Sequence, residues 1–238
     1  MMSPFRFKQF IVKHDLSTMK VGTDAMLLGA WVAIPQNCKS VLDVGTGSGV
    51  ISLMLAQRTQ AEIWGVDIHA PSIEQAKQNA VASPWAQRLH FELADINVMA
   101  KECVRKFNLI VSNPPFFEHS LLSHNPQRNL SRHTITLSYT DLAKAVSDLL
   151  ADRGVFAVIL PIDSAMEVKS KWQQYGLQII RQCEVYPKQG KNPHRMLLEF
   201  MREQDNPTIK QEQLCIRNVH NQYTEEYRLL TKDYHTIF

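Results

Sequence analysis

Cysteine is scarce in this 238-residue chain: Cys38, Cys103, Cys183 and Cys215 lie far apart, with no CxxC pair and no Cys/His spacing of the kind that holds zinc. That usage fits reduced thiols and excludes a disulfide scaffold, and no metal is expected. Long apolar runs are missing too. None approaches the length of a bilayer span, and Met1 to Leu16 mixes Arg6, Lys8, Lys13 and Asp15 into its apolar residues, unlike a signal peptide. A cytoplasmic protein with no membrane association is expected. No charge of one sign dominates: 26 Lys and Arg against 23 Asp and Glu leave a net +3, too little to identify a nucleic-acid partner by itself. There is no internal repeat and no low-complexity tract. With 45% hydrophobic and 21% charged residues, disordered, collagen-like and coiled-coil classes drop out. The length suits one substantial core with room for a small appendage, and nothing in it speaks for an oligomer, so a monomer is expected.

What is present is an alternation of short apolar runs with helical periodicity from Ser40 onward, the pattern of βα units on a mostly parallel sheet. The runs predict seven strands: Ser40 to Val44, Glu62 to Asp67, Leu89 to Leu93, Phe107 to Ser112, Val155 to Leu160, Leu177 to Val185 and Met196 to Met201. Helices are expected over Gly49 to Arg58, after Pro71, and over Asp141 to Leu150 with Gly154 as its stop; Ser164 and Glu167 suggest a capping box for the next. Residues 1–37 form an N-terminal segment whose Val21 to Trp31 part reads as a turn and an apolar helix, and 38–238 the α/β domain proper. Phe117 to Tyr139 is a long polar loop, a form usually kept for function.

The first core strand runs straight into Asp43-Val44-Gly45-Thr46-Gly47-Ser48-Gly49 and then a helix. A dinucleotide fingerprint needs a glycine at position 50, where Val50 stands; GxGxG after an acidic residue points instead to S-adenosylmethionine. That cofactor has no pyrophosphate to seat on a helix N-terminus, and glycine lets the backbone approach its methionine tail and ribose. Asp67 ends the second core strand, where a carboxylate can accept from both ribose hydroxyls; Asp95, after the third, is placed for the cofactor's adenine amine. Ile68 and Ile96, the next residues along, belong to the same expected site. Singly, these residues also read as tight-turn glycines and solvated strand ends; their joint placement at the carboxyl ends of consecutive strands favours the cofactor.

The fourth core strand delivers Asn113-Pro114-Pro115-Phe116. An exocyclic base amine is a weak nucleophile, its lone pair delocalised into the ring, and a conventional base helps it little. The Asn113 side-chain oxygen and the Pro114 carbonyl suit it better, each accepting one N–H and turning the lone pair toward the methyl donor. Asn113 thereby belongs to both the catalytic and the cofactor set. Pro115 holds Pro114 extended, and Phe116 offers a face on which a flipped-out base stacks. The alternative is a strand-terminating turn with a core aromatic.

A glycine motif followed by Asn-Pro-Pro-Phe resembles class I Rossmann-like methyltransferases that modify amino groups. More narrowly, Phe5-Arg6-Phe7-Lys8-Gln9-Phe10, His14-Asp15, Met19 to Trp31 and Tyr223-Thr224-Glu225-Glu226-Tyr227 resemble the bacterial tRNA1(Val) adenine N6-methyltransferase family over nearly the whole chain. The resemblance implies a doubly wound α/β sheet whose seventh and last strand is antiparallel, and methylation of adenine 37 beside the anticodon of a valine tRNA. It also puts Thr23 and Asp24 near the cofactor's methionine end, where a helix N-cap is the other reading. Arg128 and Arg132 in the long loop would then face the RNA; His119, His124 and His133 read there as relays or as solvated side chains. Basic residues gather also at Arg6, Lys8, Lys13 and Lys20, and at Lys188, Lys191, His194 and Arg195. Competing readings are an rRNA guanine N2-methyltransferase, which shares Asn-Pro-Pro-Phe, and a protein glutamine methyltransferase, whose motif usually ends in Tyr. From another class, a non-catalytic RNA-binding or cofactor-sensing protein has no need of paired amine acceptors.

Overall fold

The computed structural model of the chain describes residues 3–114, 137–202 and 208–238. Two short strands, β1 (Phe5–Arg6) and β2 (Ile11–Val12), pair as an antiparallel hairpin, and α1 (Thr23–Trp31) follows. The sheet proper begins with β3 (Ser40–Val44), α2 (Val50–Arg58), β4 (Glu62–Asp67), α3 (Ala70–Val81), β5 (Leu89–Leu93), α4 (Ile96–Glu102) and β6 (Phe107–Ser112). It continues with α5 (Tyr139–Leu149), β7 (Leu150–Pro161), α6 (Ile162–Lys171), β8 (Leu177–Tyr186), β9 (Arg195–Arg202), β10 (Lys210–Cys215) and α7 (Glu225–Thr231).

The spatial order is β10-β8-β9-β7-β6-β3-β4-β5, with β9 antiparallel to both its neighbours and every other pairing parallel. The seven expected strands are therefore all there, the seventh reversed. The sheet has eight strands, however, because β10 adds to its edge beside β8. Its sequence, Lys-Gln-Glu-Gln-Leu-Cys, carries little apolar signal, which is how an exposed edge is kept from pairing with other chains.

Central strands covered on both faces are apolar at most positions. Thus Val41 packs on one face of β3 and Leu42 and Val44 on the other; in β7, Val155, Ala157 and Ile159 oppose Phe156, Val158 and Leu160. Helices α1, α2 and α3 share the first layer with the N-terminal hairpin, while α5, α6 and Ile96 of α4 fill the second. Arg58 closes the end of α1 by donating to the Gly29 and Val32 carbonyls at 2.8 Å each.

The aromatic residues at the two chain ends meet. Phe5, Phe7 and Phe10 stack beside Tyr234 and His235, Lys8 N–H donates to the Tyr234 carbonyl at 2.9 Å, and Tyr223, Tyr227 and Phe238 extend the cluster. The hairpin thus lies in the same hydrophobic cluster as α1 and α2.

Three local readings need correction. Ser164 caps nothing: α6 starts directly from β7 with Pro161 at the N-cap and no side-chain cap, and Glu167 pairs with Lys171 at 2.7 Å. Gly154 is not a helix stop, since α5 ends at Leu149; it lies in β7, where a side chain would meet the Phe107 carbonyl at 2.8 Å. Thr23 is the first helical residue, and the cap position belongs to Gly22, whose backbone is extended. Among the described residues no helix is long and apolar enough to cross a membrane.

Candidate active site

The carboxyl ends of β3, β4, β5 and β6 lie side by side, so each strand's last residues face one crevice, where open α/β sheets bind ligands. At its centre is the glycine turn. Gly45 and Thr46 donate their N–H groups to the Val66 carbonyl at 2.9 and 3.0 Å, fastening the turn to β4. Gly47 has φ +54° and Gly49 φ +79°, backbone that an L side chain rarely adopts. A side chain at Gly49 would also meet the Phe91 ring at 3.0 Å and Ala76 at 3.2 Å.

Asp43 sits beneath this turn, 1% exposed. One of its oxygens accepts from Thr46 Oγ1 (2.8 Å), Ser52 Oγ (2.7 Å) and Ser52 N–H (3.2 Å), while Oδ1 is buried with no partner among the described residues. Burial drives its pKa up from 3.8 to about 6, against the opposing hydrogen bonds of Ser52 and Thr46 and with a smaller push from Asp67. Asp43 therefore braces the turn from below.

Asp67 ends β4 half-buried, its Oδ2 accepting from Gly47 N–H and its Oδ1 from His69 N–H, both at 2.9 Å. A carboxylate oxygen has a second acceptor direction, so both remain able to take hydroxyls. Ile68 is about half exposed, an apolar surface at the strand end, whereas Ile96 is 4% exposed and belongs to the core. Between them Asp95 caps α4, its Oδ1 accepting from Asn97 N–H at 2.8 Å.

On the other side of β3, Ser112 Oγ donates to the Val44 carbonyl at 2.9 Å, tying the end of β6 to the glycine strand. Asn113 follows, half-buried, with its Oδ1 fully enclosed and unpartnered among the described residues; Pro114 is buried. Leaving a buried amide oxygen unpaired costs about 1–3 kcal/mol. An arriving N–H would relieve that. Pro115, Phe116, Arg128 and Arg132 fall outside the described residues, as do His119, His124 and His133.

Thr23 is exposed at the start of α1; Asp24 next to it is fixed by an ion pair with Arg195 Nε at 3.0 Å, both partly buried. Arg195 opens β9 opposite Pro161, so this pair borders the carboxyl edge beyond β7. Reading Arg195 as part of a basic surface patch missed this partner. Sequence reasoning also missed Ser52, Gly65, Phe91, Gln75 and Asn79. The last two carried a signal: Ser72, Gln75 and Asn79 repeat at helical spacing beside Ile73, Ala76 and Ala80, and all three are 0–2% exposed. Polar residues on a buried helix face must find partners.

Residues 36–207 match the family model of a methyltransferase domain. The chain is 44% identical to the tRNA1(Val) (adenine(37)-N6)-methyltransferase of Phocaeicola vulgatus, over 97% of each chain. It is 42% identical to that of Mannheimia succiniciproducens, over 98% of this chain and 95% of the other. Among solved structures, an O-methyltransferase predicted in Agrobacterium tumefaciens superposes with a TM-score of 0.69 at 18% identity, covering 89% of this chain and 96% of that one, a likeness of fold.

Proposed function

Because this chain belongs to the family of tRNA1(Val) (adenine(37)-N6)-methyltransferases, we propose that it methylates the exocyclic N6 amine of an adenine in tRNA, with adenine 37 of valine tRNA as the target. S-adenosylmethionine is the methyl donor, supplying a sulfonium-activated methyl group. The observation that carries the reading is the enclosed Asn113 Oδ1 beside the glycine turn, without a partner among the described residues. An acceptor held there without a partner suits an incoming amine N–H.

In this reading Asn113 Oδ1 and the Pro114 carbonyl each accept one N–H of the target amine, aiming its lone pair at the donor. The proton released after transfer goes to solvent or to a relay. The fit to the cofactor rests on three groups: the left-handed glycines, which leave the turn bare; Asp67, with acceptor capacity for ribose hydroxyls; and Ile68, an apolar face beside Asp95 for the adenine ring. Ile96 contributes through its backbone, since its side chain is in the core. Thr23 and Asp24 serve the methionine end, Asp24 in the orientation set by Arg195. Phe116 stacks on the flipped base, Pro115 keeps Pro114 extended, and Arg128 and Arg132 contact phosphates. The N-terminal 1–37 segment contributes to both cofactor and RNA, in a monomer that uses no metal.

Nucleoside mass spectrometry of tRNA from cells with and without the gene tests this. N6-methyladenosine lost from valine tRNA is the expected result. N2-methylguanosine lost from rRNA, or a methylated protein as the product, would overturn it.

A further inference from the structure

The stretch between the N-terminal hairpin and α1 is laced to the cofactor turn by one side chain. Asn79 Oδ1 accepts the Lys13 N–H at 2.9 Å, and its Nδ2 donates to the Lys13 carbonyl at 2.8 Å and to the Ser48 carbonyl, inside the glycine motif, at 2.9 Å. One helical turn away, Gln75 Oε1 accepts the Leu16 N–H at 3.2 Å. Residues 13–17 therefore run as a strap along α3 toward the turn. They arrive over Gly47, where a side chain would meet Ser17 Oγ at 3.3 Å.

Two polar atoms of this strap, Ser17 Oγ and His14 Nδ1, are buried without a hydrogen-bond partner among the described residues. Asp43 Oδ1 and Asn113 Oδ1 share that condition, so of five such atoms among the described residues four belong to the glycine turn, the strap beside it and the adjoining strand end, the fifth being Gln57 Oε1 in α2. Buried polar atoms normally have partners, and a cluster of orphans around one crevice marks a missing ligand.

We propose that the strap is a fixed wall of the cofactor site, in which Ser17 Oγ and His14 Nδ1 hydrogen-bond the charged amino-acid end of S-adenosylmethionine. Gln75 and Asn79 are its positioning residues. The inference rests on the cofactor reading above. Its direction follows from the strand order: the adenine falls to β5 and Asp95, the ribose to Asp67 on β4, and the reacting methyl to Asn113 on β6. The remaining part, an ammonium and a carboxylate, is left over the glycine turn, under the strap. A hydroxyl donates to a carboxylate or accepts from an ammonium, and an imidazole nitrogen does either according to its tautomer.

The test is calorimetric titration of the full chain with S-adenosylhomocysteine and with 5′-methylthioadenosine, which keeps adenosine and thioether but has no amino-acid end. Ser17→Ala should weaken S-adenosylhomocysteine about tenfold or more and leave methylthioadenosine within about twofold, at an unchanged thermal midpoint. His14→Ala should do likewise, and His14→Asn, whose amide oxygen falls near the Nδ1 position, should restore binding. Asn79→Leu should show the same ligand-selective loss and be non-additive with Ser17→Ala, because it acts through the strap. Equal loss for both ligands, or no loss for either, overturns the assignment. Failure of the wild-type protein to bind either ligand would instead overturn the cofactor reading itself.

Discussion

Gly65, in the middle of β4, is the most exacting position under the turn, and Gly65→Ala tests the packing directly. An added methyl carbon would lie 2.5 and 2.6 Å from Phe91 Cε1 and Cδ1 and 2.7 Å from Thr46 Oγ1. Carbon pairs prefer about 3.5–4.0 Å, so roughly 1 Å must be found. The ring has little room to give it, since Phe91 is 5% exposed. Overpacking of this kind costs about 1–3 kcal/mol, offset by about 0.4–1 kcal/mol from the stiffer unfolded chain. At about 2–4 °C per kcal/mol for a chain of this size, a net loss of about 1–2 kcal/mol lowers Tm by roughly 2–8 °C. The displaced Thr46 would also leave Asp43 short of a donor, so affinity for S-adenosylmethionine should fall with stability. The assay is thermal unfolding followed by circular dichroism, with Phe91→Leu and the double variant completing a cycle. The ring's removal should relieve the clash, making the double variant more stable than the sum by about 0.5–3 kcal/mol. An unchanged Tm for Gly65→Ala, or strict additivity, would refute the reasoning.

Asp67→Ala removes two prospective ribose bonds and the anchor of Gly47, so calorimetry should show S-adenosylmethionine bound at least about 30- to 150-fold more weakly, about 2–3 kcal/mol; wild-type affinity would mean the ribose sits elsewhere. Asn113→Ala should keep cofactor affinity within a few-fold while single-turnover methyl transfer drops by about 10² or more, and a matching fall in both would make Asn113 chiefly a cofactor ligand. Asp43 carries a pH signature. Its folded pKa lies above its ordinary one, at about 6 against 3.8, so in that interval the folded chain binds the extra proton and stability falls as pH rises. Denaturant titrations should show wild type losing up to about 3 kcal/mol relative to Asp43→Asn between roughly pH 4 and 6, then a constant difference above that window. A difference that stays level throughout would place the Asp43 carboxyl at its ordinary value.

The limits of four strands, β3 to β6, were legible for two reasons: β3, β4 and β6 lie inside the sheet and are mainly apolar, while β5, at the edge opposite β10, shows a period of two in its buried Leu89 and Phe91. The same logic explains the failures. Strand β10, also at an edge, buries only Leu214, so Lys210 to Gln213 show neither an apolar run nor an alternation, and the stretch reads as loop. Helix α6 carries a plausible cap in Ser164, but β7 passes into it without an intervening turn, and the start is set by Pro161.

The strap is the instructive case, because neither of its partners is local. Lys13 and Asn79 are 66 residues apart, and no periodicity near residue 13 announces the bond. What does announce it is the far side of the interaction. An amphipathic helix that keeps Ile73, Ala76 and Ala80 for the core has no use for Gln75 and Asn79 in the same buried stripe, unless main chain from elsewhere is to be held there; Ser72 beside them is met locally, by His69 Nδ1 at 2.9 Å. The stripe faces backbone with no regular ladder to satisfy it: the Lys13 and Leu16 N–H groups and the Ser48 carbonyl. A polar stripe inside an apolar helix face is therefore a prediction of an irregular segment docked on it. Here that segment leads to the glycine turn, so the residues that looked least like a site are the ones that hold its wall in place.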